Sequence, residues 1–421
     1  MTPARLPAVP TSEGTVRIAG ATVIDGTGAE PLARAQVTVK DGVIVEVAPE
    51  SQAASRADVT IDGAGLTVMP GFVDAHVHLT MANGSRAEAE RLKFAEERAF
   101  DTAESMRLTL EAGVTTARDL SGLTPGYRTA VARGQIVGPR LHLAIAMLSP
   151  TGGHADPVHA NGSHAHWVDH AEVPGWAVTD TDAQVIEAVR RVLRTGADVI
   201  KVCTTGGIST PLDSPDDLGI TREQVALIVR ETARRQGQPV TAHAQGAEGI
   251  AAAVEGGARS IEHGYGITDA TLAEMLARGT VLVPTLSTLM RSPDPATAPS
   301  SVVEKKRAWQ RRGAEAASRA VAAGVTMALG TDAGIHPHGR NLEELAHLVG
   351  AGMTPLEAIR AGTVNGAALL GLDDSIGSIE VGKQADLVLT ATDPLAAIEA
   401  LAEPDAIAMV MQAGRVVKDI R

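Results

Sequence analysis

Cysteine, aromatic side chains and net positive charge are all scarce in this chain. One cysteine, Cys203, stands in 421 residues, so no disulfide can form within the chain. That fits a reducing compartment, and a cytoplasmic setting is expected. Phe, Tyr and Trp together make up 2% of the residues, so Ala, Val, Leu and Ile must fill the core. The formal net charge of −13 argues against nucleic acid or an anionic membrane as a partner. No apolar run is long enough to span a bilayer. Residues 1–14 (MTPARLPAVPTSEG) lack the apolar stretch of a secretory signal and read as a flexible tail. There is no low-complexity tract.

What is present is a large chain with a change of texture along it. A length of 421 residues exceeds one ordinary core and suggests one large domain or two. Near the N-terminus, residues 16–24 and 36–47 alternate like strands, and Lys40-Asp41-Gly42 is a hairpin turn signal. The C-terminus repeats this pattern at 385–390, 407–411 and 415–418, with Ala413-Gly414 at a turn. The two ends are therefore expected to pair into a small β-sandwich domain built from residues 15–68 and 376–421. Between them, strand runs end near His78, Asp119, Met147, Lys201, His243, His263, Thr285 and Asp332. Helical patterns such as 183–194 and 222–235 fill the gaps. Gly113, Gly196, Gly257 and Gly324 fall where helix C-caps belong. Alternating β and α units imply a parallel sheet, and eight of them predict an α/β fold, a (β/α)8 TIM barrel over residues 69–375.

Six candidate metal ligands, His76, His78, Lys201, His243, His263 and Asp332, lie at or just past the ends of these strand runs. Imidazole and carboxylate suit a divalent transition metal. A lone His-X-His is weak evidence, but here the pair follows Pro-Gly-Phe-Val-Asp and is joined by four more candidates. Ligands delivered from separate strand ends point to a catalytic site at one face of a barrel.

Several of these segments resemble one family. Pro70-Gly-Phe-Val-Asp-Ala-His-Val-His78, Ile200-Lys-Val-Cys-Thr-Thr-Gly-Gly207, Ala242-His-Ala-Gln-Gly246, Ser260-Ile-Glu-His-Gly264 and Leu329-Gly-Thr-Asp332 follow the order of the amidohydrolase superfamily. Residues 377–388 resemble its C-terminal signature. Ser149-Pro-Thr-Gly-Gly-His154 and Val283-Pro-Thr-Leu286 resemble the imidazolonepropionase-related branch that includes Xaa-Pro dipeptidases and carboxypeptidase-like enzymes. Imidazolonepropionase itself lacks a bridging lysine, so Lys201 argues against that activity.

The resemblance implies two divalent metals, zinc expected, about 3.5–4 Å apart. One would take His76, His78 and Asp332, the other His243 and His263, and a carbamate on Lys201, formed from CO2, would span both. Without that role, Lys201 would be a buried lysine paired to a carboxylate. Asp332 would serve as general base and then acid around a metal-bridging hydroxide. The plainer alternative is a carboxylate that orients a neighbour. His154 would bind substrate or polarise its carbonyl. Tyr265 is a candidate substrate contact, with simple packing the alternative. Cys203 lies on the same side of its strand as Lys201 and reads as an inert buried thiol. Arg222 is a possible carboxylate anchor but better suits an exposed helix start. Arg340 and Asn341 are placed to line the mouth. The long segment 149–176, with His154, His159, His164, His166 and His170, reads as a lid; His164-Ala-His166 mimics a ligand pair within it.

The implied activity is hydrolysis of an amide bond in a dipeptide or N-acyl amino acid, by a homo-oligomer acting on a small molecule. A hydrolase of non-peptide amides, carbamates or ureas, including aryl-amide toxins such as ochratoxin A, is the main rival. A catalytically dead scaffold is the distant one, disfavoured because no ligand position is lost.

Overall fold

The computed structural model describes residues 6–52, 56–81, 93–158, 161–162, 176–210, 213–293 and 298–421. His159, His164, His166 and His170, and with them most of the expected lid, lie outside the described residues.

Along the chain run strands β1 (Thr15–Val23), β2 (Leu32–Lys40), β3 (Val43–Pro49), β4 (Val59–Asp62), β5 (Thr67–Pro70), β6 (Phe72–Val77), β7 (Val114–Asp119), β8 (Arg140–Leu143) and β9 (Met147–Ser149). They are followed by β10 (Trp176–Val178), β11 (Ile200–Cys203), β12 (Val240–Ala244), β13 (Ser260–His263), β14 (Val281–Val283), β15 (Leu387–Thr390), β16 (Ile407–Gln412) and β17 (Arg415–Asp419). Both chain ends build one mixed sheet in the order β17-β16-β15-β5-β1-β2-β3, with β4 also paired to β1. Asp41 and Gly42, at φ 50° and 82°, turn β2 into β3. Two left-handed residues in sequence match the right-handed strand twist of a hairpin. Ala413 and Gly414 repeat the device at φ 48° and 77° between β16 and β17. The two tips touch, since a Cβ on Gly42 would lie 2.7 Å from the Ala413 carbonyl oxygen. This sheet has its own apolar core, with Ile18, Val37, Ile44, Leu387 and Met409.

The remaining strands form two parallel sheets, β6-β7-β8 and β10-β9-β11-β12-β13-β14. Every residue of β6, β7, β11, β12 and β13 is buried, as in strands covered on both faces. Helices cover them. Asp182–Thr195 starts with a capping box between Thr181 and Gln184 and ends at left-handed Gly196. Gly257 and Gly324 cap their helices in the same way, whereas Ala112 takes the cap position and Gly113 follows it at φ 98°. Among the described residues, no helix is long and apolar enough to cross a membrane.

Three strand expectations are modified. The run into His78 is two strands. β5 pairs with β1 and β15, and β6 pairs with β7. Gly71 is the break, where a Cβ would sit 2.3 Å from Thr115 Oγ1 and where the N–H leaves the ladder to bond Asp386 O at 2.7 Å. The third run is also split, at Ile145 (φ 70°), so that β8 pairs with β7 and β9 with β11. Residues 326–332 form no regular strand. They still bond on both sides: Ala328 N donates to Leu282 O (3.0 Å), Ala75 N to Leu329 O (2.9 Å) and Asp332 N to His76 O (2.7 Å). Left-handed Asp332 (φ 58°) stops the extended backbone there. The segment thus lies between β14 and β6 and joins the two parallel sheets.

One buried ion pair clamps the end sheet to the parallel strands. Arg140 of β8 is 1% exposed and its guanidinium bonds Asp386, 4% exposed, just before β15. The other oxygen of Asp386 accepts from Ala413 N at 2.8 Å. Removing one partner of such a pair leaves an uncompensated buried charge. Arg140→Met is expected to destabilise the fold by about 3–5 kcal/mol in urea unfolding. Adding Asp386→Asn, which keeps the acceptor for Ala413, should recover part of that loss. A single variant as stable as the wild type would remove the clamp from this account.

Candidate metal centre

Alternation along β6 directs Asp74, His76 and His78 to one side. The Nε2 atoms of His76 and His78 lie 3.5 and 3.4 Å from the same Asp332 oxygen. Ligand atoms of His76, His78 and Asp332 all fall within 4.8 Å of one another, a spacing suited to one metal ion. The far nitrogens are held from behind, His76 Nδ1 by Glu262 at 2.8 Å and His78 Nδ1 by Ser121 at 2.9 Å. Such partners fix the ring and leave Nε2 for a metal.

The next strands bring the others alongside. His243 of β12 directs Nε2 at the Gly206 carbonyl, 3.1 Å away, which leaves Nδ1 open. His263 Nδ1 meets Thr285 Oγ1 at 2.8 Å, which leaves Nε2. The rings follow one another: His78 to His76 at 5.3 Å between centroids, His76 to His263 at 5.1 Å, His263 to His243 at 4.5 Å and His243 to His154 at 3.9 Å. Lys201 of β11 is 1% exposed, and its buried Nζ has no hydrogen-bond partner among the described residues. An orphaned buried amine is an exception that calls for an explanation.

Burial decides the protonation states. It lowers the imidazoles of His76 and His243 well below their ordinary value, and that of His263 to about 3. These rings are neutral at pH 7, the form that binds metal. Burial also lowers the Lys201 ammonium, which favours the free amine. It works to raise Asp332, but the His78 hydrogen bond and the facing imidazoles outweigh it and hold the carboxyl below its ordinary value.

His263 (φ 73°) and Asp332 (φ 58°) both have left-handed backbones, which residues other than glycine rarely adopt. At His263 the turn has a clear consequence. Glu262 already occupies the inward position of β13, and the left-handed bend brings the next side chain inward too. Gly330 makes room behind His76, because a Cβ there would stand 2.9 Å from the His76 Cβ.

His154 is placed by Asp213, whose carboxylate holds Nδ1 at 2.9 Å and also accepts from Gly207 N at 2.8 Å. Gly207 has no side chain where His154 lies, and a Cβ there would be 2.3 Å from Cε1. The Tyr265 hydroxyl is 2.8 Å from Thr285 Oγ1 and 3.4 Å from His263 Nδ1, so it supports His263 from a position 2% exposed. The Cys203 thiol is pushed up to about 12 by burial, in keeping with an inert role. Arg222 starts its helix at the surface, paired with Glu223 and Glu255, away from the centre. Arg340 pairs with Glu343 and Glu403 at the surface. Asn341 is buried and donates to Asp74 at 2.8 Å.

Glu262, Arg118, Asp74 and Asp213 are supporting residues that the strand pattern alone does not single out. Glu262 accepts from Arg118 Nη2 at 2.8 Å and Ser260 Oγ at 2.7 Å while facing His76. Asp74, raised to about 6 by burial, receives Thr331 Oγ1 at 2.6 Å and so holds the residue next to Asp332. The available signal was a charged residue inside an otherwise apolar strand, as in Thr-Ala-Arg118-Asp119 and Ser-Ile-Glu262.

Comparison with known proteins shows the family. The amidohydrolase family model matches residues 67–417. Ochratoxinase of Aspergillus niger is 31% identical over 425 residues, covering 94% of this chain and 85% of that protein. Imidazolonepropionase of Symbiobacterium thermophilum is 27% identical, covering 91% and 90%. A crystal structure of a Xaa-Pro dipeptidase with bound methionine in the active site superposes with a TM-score of 0.86 at 30% identity, over 96% of this chain and 100% of that one. The chain belongs to the amidohydrolase family, with imidazolonepropionases and Xaa-Pro dipeptidases among its relatives.

Proposed function

We propose that this chain hydrolyses an amide bond next to a free carboxylate, in a dipeptide or N-acyl amino acid, with two divalent ions, zinc expected, in a (β/α)8 barrel. The observation that carries the binuclear reading is the Lys201 amine, without a hydrogen-bond partner among the described residues and close enough to act on His76, His243 and His263. His76, His78 and Asp332 would hold one ion, His243 and His263 the other, and a carbamate on Lys201 would bridge them. Bound there, the ions would supply Lewis acidity toward the carbonyl and acidify a water. The support for the barrel is the bonding of residues 326–333 to both β14 and β6.

The chain's own residues do the rest. Asp332 is an ionised carboxylate at the centre, able to accept a proton from the attacking water and deliver it to the leaving nitrogen. Without that proton an amine leaves poorly. His154, held by Asp213, faces the His243 side and is placed to hydrogen-bond the carbonyl oxygen as negative charge develops there. Asp74 and Thr331 keep Asp332 in register. The methionine in the Xaa-Pro dipeptidase relative is an amino acid with a free carboxylate, which favours a peptide-like substrate. The ochratoxinase likeness favours a second reading, an aryl amide such as ochratoxin A.

Elemental analysis of protein purified without chelator should find two divalent ions per chain. Lys201→Ala should lower turnover about a hundredfold or more, as loss of a ligand exceeds loss of a ligand's support. Full activity with one ion, or with alanine at 201, would reject the bridged centre. Asp332→Asn should reduce kcat by about 10^2–10^4-fold, the range for a positioned acid–base group, with a smaller change in KM. A near-normal kcat would move the proton transfer elsewhere. The wild type should prefer N-acetyl-L-methionine to its C-terminal amide by about thirty- to a hundredfold in kcat/KM, the value of one charge-assisted contact. Equal rates would shift the assignment to neutral amides, carbamates or ureas.

A further inference from the structure

The helix Ser300–Ala323 carries two adjacent lysines with different surroundings. Lys305 Nζ donates to the carbonyls of Gly207 at 3.1 Å and Asp213 at 2.6 Å, which ties the helix to the loop that holds His154. A turn later, Gln310 Nε2 bonds the carbonyls of Leu289 and Met290, both at 3.1 Å. The short helix Leu286–Met290 is in turn fixed to the Asp332 segment, with Thr288 Oγ1 on Thr331 O at 2.8 Å. The helix therefore bridges the His154 side and the Asp332 side of the centre.

Lys306 is on the buried face of this helix with Val302, Val303 and Trp309, and is 8% exposed. Among the described residues its ammonium makes no hydrogen bond or close ion pair; the charges that act on it are those of Asp332 and Arg291. In the reading above Asp332 is committed to metal. A nearly buried ammonium without an anion is unfavourable, so it calls for a counter-ion.

We propose that Lys306 is the specificity-determining anchor for the substrate carboxylate. This rests on the reading that the substrate carries one beside the scissile amide. In such a substrate a single carbon separates the leaving nitrogen from the carboxylate. The anchor must then be on the same side as the group that protonates that nitrogen. Asp332 is that group, and Lys306 is the nearly buried cation on which its charge acts. His154 stands on the other side, stacked on His243, where the carbonyl oxygen belongs. Arg291, whose guanidinium reaches the Ile335 carbonyl at 3.4 Å, adds positive charge near the same place in a chain of net charge −13.

The test compares the metal-loaded wild type with Lys306→Met, which keeps the apolar stem, and Lys306→Arg, which keeps the charge. One readout is the ratio of kcat/KM for N-acetyl-L-methionine to that for its C-terminal amide. The other is the calorimetric affinity for L-methionine relative to L-methioninamide, which does not depend on turnover. Lys306→Met should reduce both ratios by about 10- to 100-fold, and Lys306→Arg should retain most of the preference. A methionine variant that keeps the wild-type ratios would overturn the assignment while leaving the carboxylate reading intact. A variant weakened equally toward acid and amide would make Lys306 structural and also overturn it. A wild type with no preference for the acid in either measurement would overturn the carboxylate reading, and the anchor with it.

Discussion

The carboxylate of Glu262 is the contact on which the centre depends. Fully buried, it receives Arg118 of β7 and Ser260 of its own strand, hydrogen-bonds Thr241 of β12 and faces His76 of β6. One anion thereby ties four parallel strands together directly behind His76. Arg118 spends its other donors on Ala75 O at 2.6 Å and Ser260 Oγ at 3.3 Å. A buried ion pair is tolerable when its remaining hydrogen-bonding capacity is satisfied in this way. The result is a floor that sets the ring plane of His76, while Ser121, Thr285 and the Gly206 carbonyl set those of His78, His263 and His243.

A second constraint acts from the side. Asp74 gathers Asn341, the Thr331 hydroxyl and the His76 amide. Glu344 accepts from the backbone amides of Leu286 and Ser287 at 2.8 and 2.6 Å, and burial raises it to about 7. These carboxylates hold the backbone around left-handed Thr285 and Asp332. Strained conformations persist where neighbouring contacts over-determine them. Here the strain turns two residues inward: His263 beside Glu262, and Asp332 toward His76 and His78.

The polar interior is also what makes the low aromatic content workable. Small and branched aliphatic residues pack the helices against the strands, as with Val189, Ile228, Ile250 and Leu272. The strand ends are left to charged and hydrogen-bonded groups that position one another. The end sheet, with its separate apolar core, is joined to this body through the Arg140–Asp386 pair.

Much of this was legible in the sequence. Period-two alternation, hairpin glycines and helix caps are local, so the strand and helix pattern, the pairing of the two ends and the ordered set of His76, His78, Lys201, His243, His263 and Asp332 could be read from neighbouring residues. The partners of those residues could not. Glu262 stands beside His263, and alternation would send one of the two outward; only the left-handed turn brings both in. Arg118 and Asp386 read as ordinary charges until strands distant in sequence enclose them. Lys306 looks like any lysine on a charged helix, and its difference from Lys305 appears only where that helix crosses the centre. Local chemistry along the chain determined which residue types stand at the strand ends. Which of them face one another, and which charges are left without a partner, was decided by burial and long-range packing, because desolvation and hydrogen-bond satisfaction are properties of the assembled neighbours rather than of any segment.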